Sequence, residues 1–214
     1  NESFAEKAKK LEEIEVDKNN LYFSINESGL LISLRQKDES SNNTSKEILF
    51  APKEFQGEFL IPEKVTCLGR SAFIRRSKIL SVKSESPSFK QVKQFCFYHC
   101  KKLENAIFKG QTDLILDDFC FSKSKKLSSI EISSKKITIG RNCFDNCISL
   151  SHINFDKADT IKLNQQSFKR CINLKDIEIL NASLIEIGDE CFSDDDNLKS
   201  LKFIANSIIF GNNF

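Results

Sequence analysis

Phenylalanine returns along this chain at a nearly constant interval. Phe73, Phe97, Phe121, Phe144, Phe168, Phe192 and Phe214 are separated by 24, 24, 23, 24, 24 and 22 residues. A period in the twenties restricts a chain to stacking one short unit many times, since a single unit cannot bury its own apolar side and its neighbours must complete the core. With phenylalanine as position zero, other columns fall into line. Position plus six carries Ile79, Leu103, Leu127, Leu150, Leu174 and Leu198, and position plus nine carries Val82, Ala106, Ile130, Ile153, Ile177 and Leu201. Position minus five carries Leu68, Val92, Leu116, Ile139, Leu163, Ile187 and Ile209.

Two periodicities sit inside each unit. Ile177-Glu178-Ile179 and its counterparts alternate with a period of two, which predicts a short strand. Around the phenylalanine, apolar residues fall at minus one, zero and plus three, as in Cys143, Phe144 and Cys147. That spacing fits one face of a short helical turn. Gly69, Gly140 and Gly188, with Asp117 and Asn164, mark a bend four residues before the phenylalanine. The expected coil is therefore strand, turn, helical turn, strand: an α/β repeat solenoid.

These columns resemble the BspA-like class of leucine-rich repeat found in surface proteins. The stretches IGRNCFDNCISLSHINF (139–155), VKQFCFYHCKKLENAIF (92–108), LNQQSFKRCINLKDIEI (163–179) and IGDECFSDDDNLKSLKF (187–203) carry the likeness, and 48–73 is similar to that family's entry into its repeats. The resemblance implies a right-handed superhelix over residues 46–214, with six full repeats and the start of a seventh. It also implies a role at the cell surface as an adhesion or recognition antigen. Arg76, Ser124 and Asp195 depart from the cysteine at plus three, and Ser84 from the apolar residue at plus eleven.

Residues 1–45 read as a separate capping segment. A charged helix is expected over 1–18, with Phe4, Ala8, Leu11 and Ile14 near one face, and a polar loop over Lys37 to Lys46. Strand-like pieces lie at Leu21 to Phe23 and Leu30 to Leu34. The chain has no methionine and ends as a seventh unit opens, so it reads as a fragment or processed form. No apolar run approaches the length of a membrane span. A net charge of +2 makes no global case for nucleic acid as a partner.

The eight cysteines invite a metal or disulfide reading, but Cys96, Cys120, Cys143 and Cys191 all stand at minus one, and Cys100, Cys147 and Cys171 at plus three. Seven of eight thus occupy repeat columns where serine substitutes, which is how a small buried residue behaves. His99 and His152 belong to different columns, too few for a zinc site and without a cysteine or serine partner for nucleophilic catalysis. No phosphate-binding loop, dinucleotide fingerprint or HExxH is present, and Asp194 to Asp196 lack calcium-loop spacing. The chain is expected to be a non-enzymatic binding module without metal or cofactor.

Two surfaces remain. Positions eight, ten and twelve should face outward from the strands along a concave ladder that binds a protein partner, such as a host or extracellular-matrix protein. Its candidate residues are Lys83, Ile107, Glu131, His152, Asn154, Asp156, Asp176, Glu178, Leu180 and Lys202. The second is a basic edge of Arg75, Arg76, Lys101, Lys102, Lys125 and Lys126, suited to an acidic glycan or other polyanion. A different reading is an intracellular scaffold fused to another domain. Sequons at Asn1, Asn26, Asn42, Asn43 and Asn181 permit secretion.

Overall fold

The structure is a computed structural model that describes residue 11, residues 14–34 and residues 46–213. These residues form fifteen strands joined by turns, with no helix among them. The chain opens with β1 (Phe23–Ile25), β2 (Leu31–Ser33) and β3 (Lys46–Phe50). Coils then follow as pairs: β4 (Gln56–Leu60) with β5 (Val65–Leu68), β6 (Lys78–Ser84) with β7 (Gln91–Val92), and β8 (Asn105–Lys109) with β9 (Asp113–Leu116). Next come β10 (Ser129–Ser133) with β11 (Lys136–Ile139) and β12 (His152–Asp156) with β13 (Thr160–Leu163). The long strands β14 (Asp176–Ile187) and β15 (Ser200–Phe210) each run through a whole corner of the coil.

Stacking places like positions on like. β4, β6, β8, β10 and β12 form a five-stranded parallel sheet, in which Ser129 to Ser133 pair one for one with Asn105 to Lys109 and with His152 to Asp156. The other sheet has ten strands in the order β1-β2-β3-β5-β7-β9-β11-β13-β14-β15. The alternation predicted for the strands holds: in β10, Ile130 and Ile132 are buried while Ser129, Glu131 and Ser133 face outward.

The expected helical turns are absent, which makes the fold an all-strand solenoid rather than an α/β one. The burial pattern behind that expectation is real, since Cys143, Phe144 and Cys147 are all fully buried. The backbone achieves it differently. Residues at minus two and plus two adopt the left-handed conformation in coil after coil, as at Asn142 (φ 51°) and Asn146 (φ 60°). A left-handed residue every fourth position stops a right-handed helix from propagating. Instead, overlapping turns close through Cys143 N–H to Gly140 O (3.3 Å), Asp145 N–H to Asn142 O (3.1 Å) and Cys147 N–H to Phe144 O (3.0 Å). The intervening amides point to the next coil: Asn142 to Gln165 O (3.1 Å), Phe144 to Ser167 O (2.8 Å) and Asn146 to Lys169 O (2.8 Å). Every donor of the stretch is thereby satisfied, half within the coil and half between coils.

The phenylalanine column forms a continuous stack. Ring centroids from Phe73 through Phe97, Phe121, Phe144 and Phe168 to Phe192 lie 5.1, 5.2, 5.4, 5.1 and 5.7 Å apart, each pair near-parallel. Phe214 lies outside the described residues. The plus-three column has a second function besides filling space. Cys100, Ser124, Cys147 and Cys171 each donate a side-chain hydrogen bond to a phenylalanine carbonyl of the preceding coil, at 3.1, 2.8, 3.2 and 3.3 Å. A hydroxyl can take the place of the weaker thiol donor in this bond, hence their interchange. Desolvation pushes the Cys100 and Cys191 thiols up to about 12, so they stay protonated.

Arg76, counted above with the basic edge, occupies this same inward column. It is buried, donates from Nε to Ala51 O (2.7 Å), and lies over the Phe50 ring. Its charge closes the first coil rather than joining a surface ridge. Where that coil offers only Ser84 at plus eleven, the fully buried Phe89 ring stacks on Phe108 at 5.8 Å. Buried Gln111 fills the remaining space, donating to Ser86 O (3.1 Å) and Lys109 O (2.7 Å). At the N-terminal end, β2 pairs antiparallel with β1 and β3, and β3 pairs parallel with β5. Leu30, Ile48 and Phe50 bury against the array there. Most of the helix expected over 1–18 lies outside the described residues, and residues 14–17 are irregular. Residues 37–45 of the expected polar loop also lie outside them, while Lys46 opens β3.

Candidate functional site

The outward positions of the five-stranded sheet form a row in register. Lys83 pairs with Ile107, Ile107 with Glu131, and Glu131 with Asn154. Glu178 of β14 pairs with Lys202 of β15. His152, Asn154, Asp156, Asp176, Glu178 and Lys202 are exposed, as is Leu180 at 41%, while Lys83, Ile107 and Glu131 are half-buried. Ion pairs stitch the ends of the row: Lys83 with Glu85 (2.8 Å), Lys109 with Glu131 (2.7 Å) and Lys202 with Glu178 (3.7 Å). The Glu131 carboxylate, bonded to Lys109, raises that ammonium above its ordinary value.

The row is interrupted once. β12 pairs with β10 on one side, but among the described residues no ladder joins it to β14 on the other. A groove of about 520 Å³ occupies that place, lined by Asn154 to Asp159 on one bank and by Glu178, Leu180 and Asn181 on the other. The core shows through it: Ile153 and Phe155 are 9% and 7% exposed, against 1% for Ile130, Ile132, Ile177 and Ile179. The corner of the coil accounts for the break. β12 ends at a left-handed Lys157 (φ 63°) and turns, whereas β14 carries its left-handed Asn181 (φ 63°) as a bulge and continues as strand. The banks rejoin where Ser183 and Leu184 donate to Asp159 O at 2.7 and 3.2 Å.

Sequence reasoning placed Asn154, Asp156, Glu178 and Leu180 on this face but missed Phe155, Lys157, Ala158, Asp159 and Asn181. A signal existed at position plus thirteen. Gly110 holds that column in the left-handed conformation, and Lys157 and Asn181 occupy it two and three coils later. Chemically the groove offers three carboxylates, one ammonium and side-chain amides over an apolar floor, groups that hold cationic side chains and peptide donors. Among the described residues, no cluster of three His, Cys, Asp or Glu side chains is placed to hold a metal ion.

Of the residues expected on the basic edge, Arg76 is buried. Arg75, Lys101, Lys102, Lys125 and Lys126 are exposed, and among the described residues the last four make no ion pair. His99 lies among them. Burial first, then the charges of Lys101, Arg75, Lys123 and Lys125, lower its pKa. Tyr98 packs edge-on to Phe95 at 5.7 Å and carries Lys123 Nζ at 5.3 Å from its ring centroid.

Solved structures share this architecture. A leucine-rich repeat protein from Eubacterium ventriosum matches with a TM-score of 0.62 and 18% identity, covering 97% of this chain and 46% of that one. The T. pallidum leucine-rich repeat protein matches at 0.59 and 17%, covering 92% and 86%. The pneumococcal vaccine antigen PcpA matches at 0.53 and 14%, covering 92% of this chain and 50% of its own. The chain thus spans about half the length of two of these three proteins. No curated protein matches it by sequence. The model of the BspA-type leucine-rich repeat region fits residues 46–161 and 90–214, in six copies. The chain belongs to the BspA-type leucine-rich repeat family.

Proposed function

We propose that this array is a non-enzymatic protein-recognition module acting at a cell surface, with the outward row of the five-stranded sheet, continued past the break by the first residues of β14 and β15, as its binding face. The observation that carries the reading is that row: polar and charged side chains held in register on a sheet whose other side is core. Repeat arrays recognise partners along such extended faces. Two structural neighbours support the setting, a leucine-rich cell surface protein from Faecalibacterium prausnitzii and the pneumococcal vaccine antigen. No helix among the described residues is long and apolar enough to cross a membrane. The partner class is an extracellular-matrix or host-surface protein. Asp176→Lys combined with Glu178→Lys is expected to reduce retention on immobilised matrix proteins roughly tenfold, by reversing two exposed charges on the face. Unchanged retention would remove the claim of this face, and intact cells whose copy escapes surface labelling would remove the claim of location.

A second reading attaches to the basic edge, favoured by the convergence of Lys101, Arg75, Lys123 and Lys125 on His99. That convergence suits an acidic glycan. Reversing Lys101, Lys102, Lys125 and Lys126 to glutamate should lower the salt needed to elute the protein from heparin, and an identical elution position refutes it.

A further inference from the structure

Resting on the second reading above, that the basic edge takes an acidic glycan, we propose that the ligand is a sulfated glycan bound across the coils of Phe73, Phe97 and Phe121. Its sulfate groups lie around His99, which takes up a proton from solvent as the glycan binds. The first observation is uncompensated positive charge. Among the described residues, Arg70, Arg75, Lys101, Lys123 and Lys125 make no ion pair. Cations elsewhere on the array, such as Lys109, Lys162 and Arg170, are paired with carboxylates at 2.7, 2.8 and 3.3 Å. Like charges held together without counter-ions repel, and an anion laid across them relieves that repulsion.

The second observation is that these cations start from fixed places. Arg75, His99 and Lys123 occupy position plus two in successive coils, each in the left-handed conformation (φ 57°, 59° and 62°). Their amides donate to the coil that follows, at 2.9 Å to Tyr98 O, 2.9 Å to Ser122 O and 2.8 Å to Asp145 O. The three side chains therefore leave the array one coil apart, at roughly the 4.8 Å spacing of adjacent strands. Aromatic rings prop two of the cations. Lys123 Nζ stands 5.3 Å from the Tyr98 ring centroid, and Arg70 Cζ stands 5.7 Å from that of Phe95, itself stacked on Phe119 at 5.1 Å. Held this way, the side chains lose less rotamer freedom when a ligand arrives. The column continues as Asn146, Arg170 and Asp194, and Arg170 is already paired with Asp145, so the run of free cations ends at the coil of Phe121.

The third observation is the imidazole at the centre. His99 is half-buried, and the charged groups that face it are Arg75 from the preceding coil, Lys101 from its own, and Lys123 and Lys125 from the following one. Burial first, then these charges, hold its pKa below the ordinary 6.5, so at neutral pH the ring is unprotonated and does not add to the repulsion. A bound sulfate reverses that balance: it neutralises the neighbours, favours the imidazolium and gains a further cationic donor. Proton uptake and glycan binding are then linked, each strengthening the other by the same factor. Charge density selects the sulfated class. A glycan bearing only uronate carboxylates spaces its anions on alternate sugars, too sparse for cations crowded on adjacent coils. Sulfate esters add further anions to the same sugars, and each accepts charge-assisted hydrogen bonds from lysine and arginine.

The test follows the chain's two histidines, His99 and His152, by proton NMR across pH, alone and with a heparin decasaccharide. The bound decasaccharide should carry the His99 titration to higher pH and leave that of His152, exposed on β12, in place. By linkage it should bind about fivefold more tightly at about pH 5 than at about pH 7.5. His99→Asn, which copies Asn146 of the same column, should remove most of that difference. A hyaluronan oligosaccharide of equal length, carrying carboxylates only, should bind about tenfold more weakly than the heparin fragment. An unmoved His99 titration, a pH dependence that survives His99→Asn, or hyaluronan binding as tight as heparin overturns the proposal. So does capture by phosphatidylserine vesicles without saturable binding of the decasaccharide, which would make the edge a membrane contact. If His99→Asn fails to fold by circular dichroism, the NMR titration of the wild-type chain still decides. Should the proposal fail while charge reversal at Lys101, Lys102, Lys125 and Lys126 still lowers the salt needed for elution from heparin, the acidic-glycan reading stands without it. An unchanged elution position removes that reading as well.

Discussion

Asp195 stands where the four preceding coils carry cysteine or serine, and the substitution changes what that position does with a proton. Its Oδ1 accepts the Cys171 amide at 2.6 Å, as Ser124 Oγ accepts the Cys100 amide at 3.0 Å. Unlike serine, an ionised carboxylate has no hydrogen to donate. Desolvation pushes Asp195 up to about 7 from an ordinary 3.8; the Cys171 amide opposes the shift, and Asp194 and Asp196 add to it. The folded chain therefore holds this proton over a window in which the unfolded chain has released it. Stability is expected to fall as pH rises from about 4 to about 7 and then to level off. Asp195→Cys, which restores the pattern of the column, should flatten that slope in thermal melts between these values, and a slope that survives it assigns the effect to other groups. Residue-level reading of the sequence worked where column outweighed chemistry. Seven cysteines were placed in the core by their columns, whereas Arg76 was misplaced on the surface because its charge was weighed ahead of its plus-three position.

At the scale of the element, the phenylalanine stack and the turn ladder are one device. Left-handed residues at minus two and plus two bring the phenylalanine inward between them and aim its amide at the next coil, so ring stacking and backbone bonding act along the same axis. Phe144 lies between Phe121 and Phe168 at 5.4 and 5.1 Å and is fully buried. Phe144→Ala should cost about 3–5 kcal/mol in denaturant unfolding, and the half-buried Phe192→Ala distinctly less. Equal costs would show that the stack contributes little beyond local burial. The strands were legible because a period of two has one meaning here. The turns were not, because apolar residues at minus one, zero and plus three satisfy a helical face and this turn ladder equally. Positions such as Phe95, Phe119 and Glu190 adopt the left-handed conformation without glycine to announce it. The groove was hidden for a related reason: its banks differ in how the backbone rounds a corner, while their columns match.

Across the whole molecule, stability in an array of this kind is close to a sum of coil terms and nearest-neighbour interface terms. Among the described residues, the interface between the coil of β12 and the coil of β14 lacks one of its sheet ladders, which removes that ladder's share from its term in the sum. Hydrogen exchange in moderate guanidinium should show the amides of β14 and β15 opening together, ahead of those from β6 to β11, with the step falling between residues 157 and 175. A single transition shared by all coils would remove that expectation. The break also has a mechanical consequence for a repeat protein held at one end and loaded at the other. If the coils of β14 and β15 yield as a unit, the chain lengthens at a defined force while the coils before the break stay folded, and the missing ladder acts as a fuse between them.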